Sequence, residues 1–352
     1  MSNLDKARKL INKTGADALL VTSHENRFYL SGFYGTAGYL LITKESAYLI
    51  TDSRYTLQAK EQAKDFHVIT KAETDFSPIA ETAENIKSLL YEDTRMSVFT
   101  FSALKDALPK TELLPCGEKI SHLRRSKTPA EVKKIKAALS LAESAFLYVL
   151  PKLHEGMKEC EAAAEIENFM RRGGALKPSF DTICASGMFS AMPHHTASDK
   201  EIQKGDFLVM DYGCILDGYC SDITRTVVIG KADARQKEIY ETVLKAQAKA
   251  EKEIAPDKRA ADIDKTARDL IDSAGYGKNF THSLGHGVGI EIHEFPNLSP
   301  KSEAVLGEGD IVTIEPGIYI EDFGGVRIED MAYIGENRAE ILTTLTKELI
   351  EI

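Results

Sequence analysis

The sequence predicts an α/β domain over residues 1–122, followed by an α+β domain with an antiparallel sheet over residues 123–352. At about 150 residues per domain, a chain of 352 residues has room for two. Short apolar segments alternate with helical segments in the first part, which is typical of a mixed or parallel sheet. The second part combines amphipathic helices with apolar, β-rich segments around turn signals, which is typical of helices packed on an antiparallel sheet.

The first domain begins with a helix and then alternates strands with helices. The apolar spacing over residues 4–14 predicts a helix that ends at Gly15. A glycine-rich loop spans residues 32–38, and the turn residues at 44–46 predict a hairpin. The remaining predicted elements are strands at 18–22, 39–43, 47–51 and 67–70 and a helix at 53–63.

A basic segment at residues 121–129 marks the boundary between the two domains. Pro129 has a fixed φ that suits the first turn of a helix, so we expect a helix to begin there. Residues 131–150 place their apolar side chains on one helical stripe. That stripe consists of Val132, Ile135, Ala138, Leu139, Ala142, Ala145, Phe146 and Val149. Further helices are predicted at 158–172, 234–254 and 260–274.

The first predicted hairpin brings two acidic residues onto one face of the sheet. An Asp-Gly pair, a strong signal for a tight turn, lies between its strands at 207–214 and 219–229. With that turn, Asp211 faces Thr224, and Asp222 lies on the same face because side chains alternate along a strand. Asp211 and Asp222 are then diagonal neighbours. Two carboxylates this close raise each other's pKa unless a cation lies between them.

A second predicted hairpin repeats this pattern. Its strands, at 311–320 and 326–334, flank the glycine pair at 324–325. Glu315 interrupts the first apolar segment, and Glu329 follows an apolar residue in the second. Each acidic residue alone is commonly a solvated strand position or part of an ion pair. Four of them in β-rich segments of one half of the chain indicate a shared site.

Histidines complete this candidate site. His282, His286 and His293 fall within a glycine-rich segment, where missing side chains let a substrate or metal approach the backbone. One neutral imidazole with four carboxylates forms a hard, oxygen-rich ligand set. Such a set suits two divalent ions that share bridging carboxylates, Mn²⁺ or Co²⁺ rather than a thiolate zinc site.

Charge and cysteine content exclude several classes of protein. The chain has 44 Lys and Arg residues against 54 Asp and Glu residues, a formal net charge of −10, which argues against non-specific binding to nucleic acid or anionic membranes. No apolar segment approaches the roughly 18 residues of a membrane span, and the N-terminus does not resemble a secretory signal. Five cysteines without a CxxC pair are typical of reduced thiols, so we expect a cytoplasmic protein whose cysteines are small buried residues.

The ordered motifs resemble those of the pita-bread metallopeptidase family that contains the Xaa-Pro peptidases prolidase and aminopeptidase P. They lie at residues 211–213, 221–226, 285–294, 314–319 and 325–330. The resemblance extends over the whole chain, because the first 120 residues resemble the N-terminal domain of creatinase and its relatives. It therefore implies a creatinase/aminopeptidase-like pita-bread fold for the catalytic domain.

The resemblance implies a dinuclear metal centre. Asp211 would chelate one ion, and Asp222 and Glu329 would bridge both. His286 and Glu315 would complete the second site. The ions implied are Mn²⁺, with Co²⁺ or Zn²⁺ as alternatives.

The resemblance also assigns catalytic roles. Glu315 would act as general base for the attacking water, His194 would be a catalytic histidine in a mobile loop, and His293 would lie beside the scissile carbonyl. His195 receives no role and is expected to be a surface residue.

Three further residues would surround these groups. His282 would line the substrate pocket, and Arg327 would lie near the substrate and the bridging glutamate. Thr224 would hold a ligating carboxylate.

The implied activity is metal-dependent hydrolysis of the Xaa-Pro bond at the N-terminus of peptides, as in aminopeptidase P. Prolidase, which takes only Xaa-Pro dipeptides, is the alternative, because loops and a partner subunit decide that difference. The loop at 32–38 and the segment at 51–55 point towards aminopeptidase P. The resemblance also implies a homodimer.

More distant relatives fit less well. Methionine aminopeptidases usually lack such an N-terminal domain, and creatinase works without metal and has lost the ligand set. A non-catalytic peptide-binding module with this fold is a further alternative, but such proteins lose metal ligands, whereas all five positions are filled here.

Overall fold

A computed structural model describes residues 2–72, 74–82 and 86–352 of the chain. The chain divides into two compact units, Met1–Arg124 and Arg125–Ile352. In the described residues, no helix combines the length and the apolar character that crossing a membrane requires.

The first unit is built on a mixed sheet, which confirms the predicted α/β class. Its strands are β1 (Ala18–Val21), β2 (Tyr39–Thr43), β3 (Ala47–Thr51), β4 (His67–Thr70), β5 (Ser88–Tyr91) and β6 (Glu112–Pro115). Its helices are α1 (Asn3–Thr14), α2 (His24–Ser31), α3 (Thr56–Gln62), α4 (Ser77–Thr82) and α5 (Val98–Ala107). The strand order is β4-β3-β2-β1-β5-β6. The β1–β2 and β2–β3 pairs are antiparallel, and the other three pairs are parallel.

Local chemistry sets the ends of the first helices. The Ser2 hydroxyl accepts a hydrogen bond from the Asp5 amide, and the Asp5 carboxylate accepts one in return, so α1 begins with a capping box. The helix ends at Gly15, which has a φ of 74°. Helix α3 begins three residues later than predicted, because the Asp52 carboxylate accepts a hydrogen bond from the Arg54 amide and forms a turn there.

The second unit contains four α-helices and the remaining strands of the described chain. Its helices are α6 (Pro129–Val149), α7 (Glu159–Arg172), α8 (Ala234–Glu253) and α9 (Ala260–Ser273). Its first strands are β7 (Lys177–Pro178), β8 (Ile183–Ser186), β9 (Phe207–Tyr212), β10 (Cys214–Leu216), β11 (Tyr219–Cys220), β12 (Ile223–Val228) and β13 (Gly285–Gly287). Those that follow are β14 (Glu294–Leu298), β15 (Ile311–Ile314), β16 (Gly317–Ile320), β17 (Gly324–Arg327), β18 (Asp330–Ile334), β19 (Ala339–Ile341) and β20 (Ile350–Glu351).

Two main sheets form the second unit, which confirms the α+β class. One has the order β20-β12-β9-β8 and the other β14-β13-β15-β18-β19. Their pairs are antiparallel except for β12 with β20, which is parallel. Apolar residues of α8 and α9, such as Val243 and Ile263, share one core with Val312 and Ile314 of β15.

Helix α6 follows its predicted pattern. Pro129 is its first residue, and Thr128 before it forms a capping box with Glu131. The predicted stripe of apolar side chains is buried. The long helix therefore packs on the unit with the face that its sequence indicates.

The first hairpin has the predicted register. Asp211 in β9 lies opposite Thr224 in β12, and β10 pairs with β11 in the same register. Asp217 and Gly218 form the turn, with φ angles of 50° and 82°. A two-residue type I′ turn requires such positive angles, and this local requirement fixes which residues face each other further along the strands.

Both hairpins are interrupted in the middle, and acidic residues lie at the interruptions. In the first, a side chain on Gly213 would lie 1.8 Å from the carbonyl oxygen of Ser221, and Asp222 follows. In the second, β15 pairs with β18 and β16 with β17, which leaves Glu315 and Glu329 between the paired segments. The interruptions therefore supply three of the predicted metal ligands.

The predicted turn of the second hairpin is wrong. Gly324 does not form the turn but pairs with Ile320 as the first residue of β17, and the turn lies at 321–323, where Asp322 has a φ of 60°. The two glycines instead allow β17 to pack closely on the segment around Ser190. A side chain on Gly325 would lie 2.3 Å from the carbonyl oxygen of Ser190.

The cysteines are all free, and four of them are buried as expected. Cys160 is the exception, because it lies exposed on α7.

Arg225 is a buried arginine whose loss we expect to destabilise the protein strongly. It is 2% exposed and donates to Asp330 Oδ1 at 2.8 Å and to the carbonyl oxygen of Glu329 at 2.5 Å. The substitution Arg225→Met leaves the buried Asp330 carboxylate with Lys347 as its remaining cation. We expect the free energy of unfolding in urea to fall by about 3–5 kcal/mol.

Lys231→Met is the matched control for this prediction. Lys231 also forms an ion pair, with Glu351, but its side chain is 86% exposed. We expect the urea midpoint of this variant to equal that of the wild type, because water screens exposed pairs. Equal midpoints for Arg225→Met and wild type would contradict the assigned role of the buried pair.

Candidate metal centre

Three buried carboxylates meet at the middle of the two hairpins. Asp211, Asp222 and Glu329 each offer an oxygen, and these atoms lie within 4.8 Å of one another. The three residues are between 1% and 8% exposed. Asp211 comes from β9, and the other two come from the interruptions described above.

The chemistry of these groups fits a divalent cation. Among the described residues, Asp211 Oδ1 and Glu329 Oε1 are buried oxygens without a hydrogen-bond donor. Burial raises the pKa of all three carboxyl groups, and repulsion from neighbouring carboxylates holds the pKa of Asp222 and Glu329 well above the ordinary range. A hard cation with oxygen ligands would satisfy the open lone pairs and offset the repulsion.

His286 and Glu315 lie beside this cluster. His286 Nε2 is 3.3 Å from Glu315 Oε1 and 3.5 Å from Asp222 Oδ2. Its Nδ1 is 3.0 Å from the carbonyl oxygen of Gly287, so Nδ1–H donates there and Nε2 faces the two carboxylates. Burial alone would lower the pKa of His286, but the Glu315 and Asp222 carboxylates raise it to about 9.

The local backbone explains why glycine flanks His286. A side chain on Gly285 would lie 2.0 Å from the carbonyl oxygen of Thr313 in the neighbouring strand. Glycine therefore allows β13 to lie close to β15. The Thr313 hydroxyl in turn donates to Glu315 Oε1 at 2.9 Å and orients that carboxylate.

Arg327 and Thr224 hold two of the acidic residues in place. The Thr224 hydroxyl donates to Glu329 Oε2 at 2.7 Å and accepts from Arg327 Nε at 3.2 Å. Arg327 Nη2 donates to Asp211 Oδ2 at 2.5 Å. These hydrogen bonds leave one oxygen on each carboxylate for a cation, which is the arrangement expected of residues that orient metal ligands.

Tyr319 belongs to the site, although the sequence analysis missed it. Its hydroxyl accepts from Arg327 Nη1 at 2.7 Å and lies 2.8 Å from His282 Nε2. His282 Nδ1 donates to the carbonyl oxygen of Ser283, so Nε2 of the neutral ring accepts from Tyr319. Burial lowers the pKa of His282, which favours this neutral form. A tyrosine in an apolar strand carries no signal that would have distinguished it from a core residue.

The remaining predicted residues line one cavity with the carboxylates. The cavity has a volume of about 450 Å³. It is lined by Asp211, Asp222, His286, Glu315, Glu329, His194, His282, His293 and Arg327, with Thr224 behind them. The ring of His293 lies 4.3 Å from that of His286. The structure thus brings together every residue that the sequence analysis singled out for the site.

His195 is not the surface residue that we expected. Its side chain is 9% exposed, and its Nε2 lies 2.8 Å from Glu159 Oε2. A histidine next to an exposed histidine gives no sign of a buried partner 36 residues away. The sequence could therefore not predict this contact.

Comparisons with known proteins relate the whole chain to peptidases. The model of metallopeptidase family M24 matches residues 133–336, and that of the creatinase/prolidase N-terminal domain matches residues 3–126. An Xaa-Pro dipeptidase of Pyrococcus horikoshii is 43% identical over 350 residues, which cover 98% of this chain and 99% of the relative. An Xaa-Pro dipeptidase structure from Bacillus anthracis has a TM-score of 0.96 at 40% identity and covers 99% of both chains. An X-Pro aminopeptidase structure from Thermotoga maritima has a TM-score of 0.92 at 38% identity and covers 99% of this chain and 100% of that one.

Proposed function

Because this chain belongs to metallopeptidase family M24, we propose that it hydrolyses the Xaa-Pro bond at the N-terminus of peptides. The observation that carries the proposal is the cavity in which five ligand-type residues and four further histidines converge. Relatives named Xaa-Pro dipeptidase and X-Pro aminopeptidase support the choice of bond. Membership of a metallopeptidase family also implies divalent metal ions as cofactors.

Two ions are proposed, with Asp222 and Glu329 shared between them. Asp211 would hold one ion, and His286 and Glu315 the other. The ligand set has more carboxylates than imidazoles, which favours Mn²⁺, with Co²⁺ or Zn²⁺ as alternatives. When bound, such ions act as Lewis acids that activate water and stabilise negative charge on the substrate.

The residues of the chain would divide the proton transfers and substrate contacts among them. Glu315 takes a proton from the attacking water and then gives it to the leaving prolyl nitrogen. His293 and His194 donate hydrogen bonds to the developing negative charge on the carbonyl oxygen. His282 and Arg327 form the wall against which the substrate binds.

The chemistry of the amide explains how a bond before proline can be cleaved. A bond before proline is a tertiary amide without an N–H, so a peptidase that holds the scissile N–H loses that contact. The proposed centre acts on the carbonyl and on the leaving nitrogen instead. It therefore needs no N–H in the scissile bond.

The choice between longer peptides and dipeptides needs a matched pair of substrates. We propose that the enzyme cleaves longer peptides. The alternative is an enzyme that cleaves only dipeptides, and it is supported by the two Pyrococcus relatives named Xaa-Pro dipeptidase, at 43% and 41% identity. Mn²⁺-loaded protein would be assayed on an Xaa-Pro dipeptide and on an Xaa-Pro-Yaa tripeptide. Cleavage of the tripeptide indicates an aminopeptidase, and cleavage of the dipeptide alone indicates a dipeptidase. No cleavage of either by metal-loaded protein would contradict the proposed function.

His194→Ala separates catalysis from metal binding. We expect kcat to fall by about 10²-fold, because one hydrogen-bond donor to the developing charge is lost. Metal content, measured by inductively coupled plasma mass spectrometry, should equal that of the wild type, since His194 is not one of the proposed ligands. Loss of metal in this variant would instead make His194 a ligand or a structural support of one.

The assembly and location of the protein are also proposals. We propose a homodimer, to be tested by light scattering, which should give twice the mass of one chain.

We further propose a cytoplasmic location, which the five free cysteines support. Disulfide-bonded protein isolated from cells would contradict it.

A further inference from the structure

Another buried carboxylate lies outside the metal centre and contacts a residue that lines the cavity. Glu159, in the first turn of α7, is 0% exposed. Its Oε1 accepts from the amide and hydroxyl of Ser186, both at 2.8 Å. Its Oε2 lies 2.8 Å from His195 Nε2 and accepts from the amide and hydroxyl of Ser198 at 3.2 and 2.6 Å. Glu159 thus connects three separate segments of the chain.

Glu159 keeps its charge in this environment. Burial alone would raise its pKa, but the hydrogen bonds from Ser198, His195 and Ser186 outweigh burial and lower it. An ionised acceptor makes each of these hydrogen bonds stronger than a neutral one would be.

The backbone around Glu159 adds to this connection. The amides of Glu159 and Cys160 donate to the carbonyl oxygens of Lys200 and Ser198. Lys200 Nζ donates at 2.7 Å to the Ser186 hydroxyl, which in turn donates to Glu159. The segment 195–200 is therefore fastened to the start of α7 by main-chain and side-chain contacts.

His194 immediately precedes this fastened segment. Both histidines line the cavity of the proposed metal centre, but His195 Nε2 also contacts Glu159, and its ring lies 4.9 Å, between ring centroids, from Phe189. The two neighbouring histidines thus have different partners. Fixing His195 limits the positions that the His194 backbone can take.

We propose that Glu159 and His195 are positioning residues that hold His194 at the cavity for the reaction. The proposal rests on the proposed function, because His194 has a task only if the cavity is the site of hydrolysis. In this proposal His195 acts through His194, because its Nε2 is held by Glu159. Small displacements of a catalytic group reduce turnover strongly, so this connection matters for rate more than for binding.

Two substitutions of His195 test the connection. His195→Phe keeps a ring beside Phe189 but removes the donor to Glu159. We expect kcat to fall by about 10- to 100-fold, with KM and metal content unchanged. His195→Gln places an amide N–H near the position of Nε2 and should recover most of the lost kcat.

His154→Phe is the matched control. His154 is exposed and contacts only a neighbouring carbonyl oxygen among the contacts that the structure gives its ring. We expect wild-type kcat and KM for this variant. A fall in kcat equal to that of His195→Phe would mean that the loss does not depend on Glu159, and it would overturn the proposal.

A double-mutant cycle separates positioning from general stability. If His195 acts through His194, then His195→Phe should leave kcat unchanged in a protein that already carries His194→Ala. Full additivity of the two losses would overturn the proposal. Hydrogen exchange gives a readout that needs no turnover: the amides of residues 194–198 should exchange faster in His195→Phe than in wild type.

The same set of experiments distinguishes the two proposals. Metal-loaded wild type that cleaves no Xaa-Pro substrate contradicts the proposed function. Active wild type together with a His195→Phe variant of equal kcat and equal exchange contradicts only the positioning role.

Discussion

Glu329→Gln is expected to lower turnover by at least about 10³-fold and to remove most of the bound metal. Glu329 supplies one of the three converging carboxylate oxygens, and its Oε1 is a buried atom without a donor among the described residues. Glutamine keeps the shape and still accepts from the Thr224 hydroxyl, but it lacks the charge that a bridging ligand needs. Asp222→Asn should have the same effect for the same reason.

Metal content and kcat of these variants would be measured after loading with Mn²⁺ and dialysis. Glu336→Gln is the control, since Glu336 is an exposed acid in the same unit, and it should match the wild type. Burial and repulsion disfavour the charged carboxylates, so Glu329→Gln should not lower the unfolding midpoint of the metal-free protein. Wild-type activity in Glu329→Gln or in Asp222→Asn would show that the ligand assignment is wrong.

Glu315→Gln is expected to lower kcat by about 10²- to 10⁴-fold while changing KM little. The Glu315 carboxylate lies 3.3 Å from His286 Nε2 and accepts from the Thr313 hydroxyl. Glutamine still accepts from Thr313 but cannot take up the proton of the attacking water. Metal content should fall less than in Glu329→Gln, because Glu315 is proposed to contact one ion instead of two.

Steady-state kinetics on an Xaa-Pro substrate with parallel metal analysis would check this prediction. A kcat within threefold of wild type would rule out Glu315 as the base. Complete loss of metal would instead mean that Glu315 is needed mainly as a ligand, and the proton would then have to pass through another group.

The parts of the site that follow from local chemistry could be predicted from the sequence. The Asp-Gly turn fixes the register of the first hairpin, so the pairing of Asp211 with Thr224 followed directly. Pro129 indicated the start of α6 in the same way. In each case the deciding interaction lies within a few residues or within one hairpin.

Contacts between distant segments could not be predicted. Tyr319 and Arg327 are diagonal neighbours in the β16–β17 pair, but the contact of Tyr319 with His282 joins it to a loop 37 residues away in the chain. His195 reaches Glu159 through the packing of a loop on α7. The glycine pair at 324–325 was assigned to a turn because its real requirement, close packing on Ser190, comes from another part of the chain.

The two interrupted hairpins explain how one fold places acidic residues in an otherwise apolar core. In a regular strand pair, the backbones of Glu315 and Glu329 would be part of the hydrogen-bonded ladder. The interruptions let both carboxylates lie beside Asp211 and Asp222 instead. A binding module of the same fold would not need this costly arrangement, which favours a catalytic centre.

The proposed dinuclear metal centre is tested by titrating metal-free protein with Mn²⁺ while metal binding and turnover of an Xaa-Pro substrate are recorded together. We expect no turnover without metal and maximal turnover when two ions are bound per chain. Full turnover of the metal-free protein, or saturation of activity with a single ion, would contradict the proposed centre.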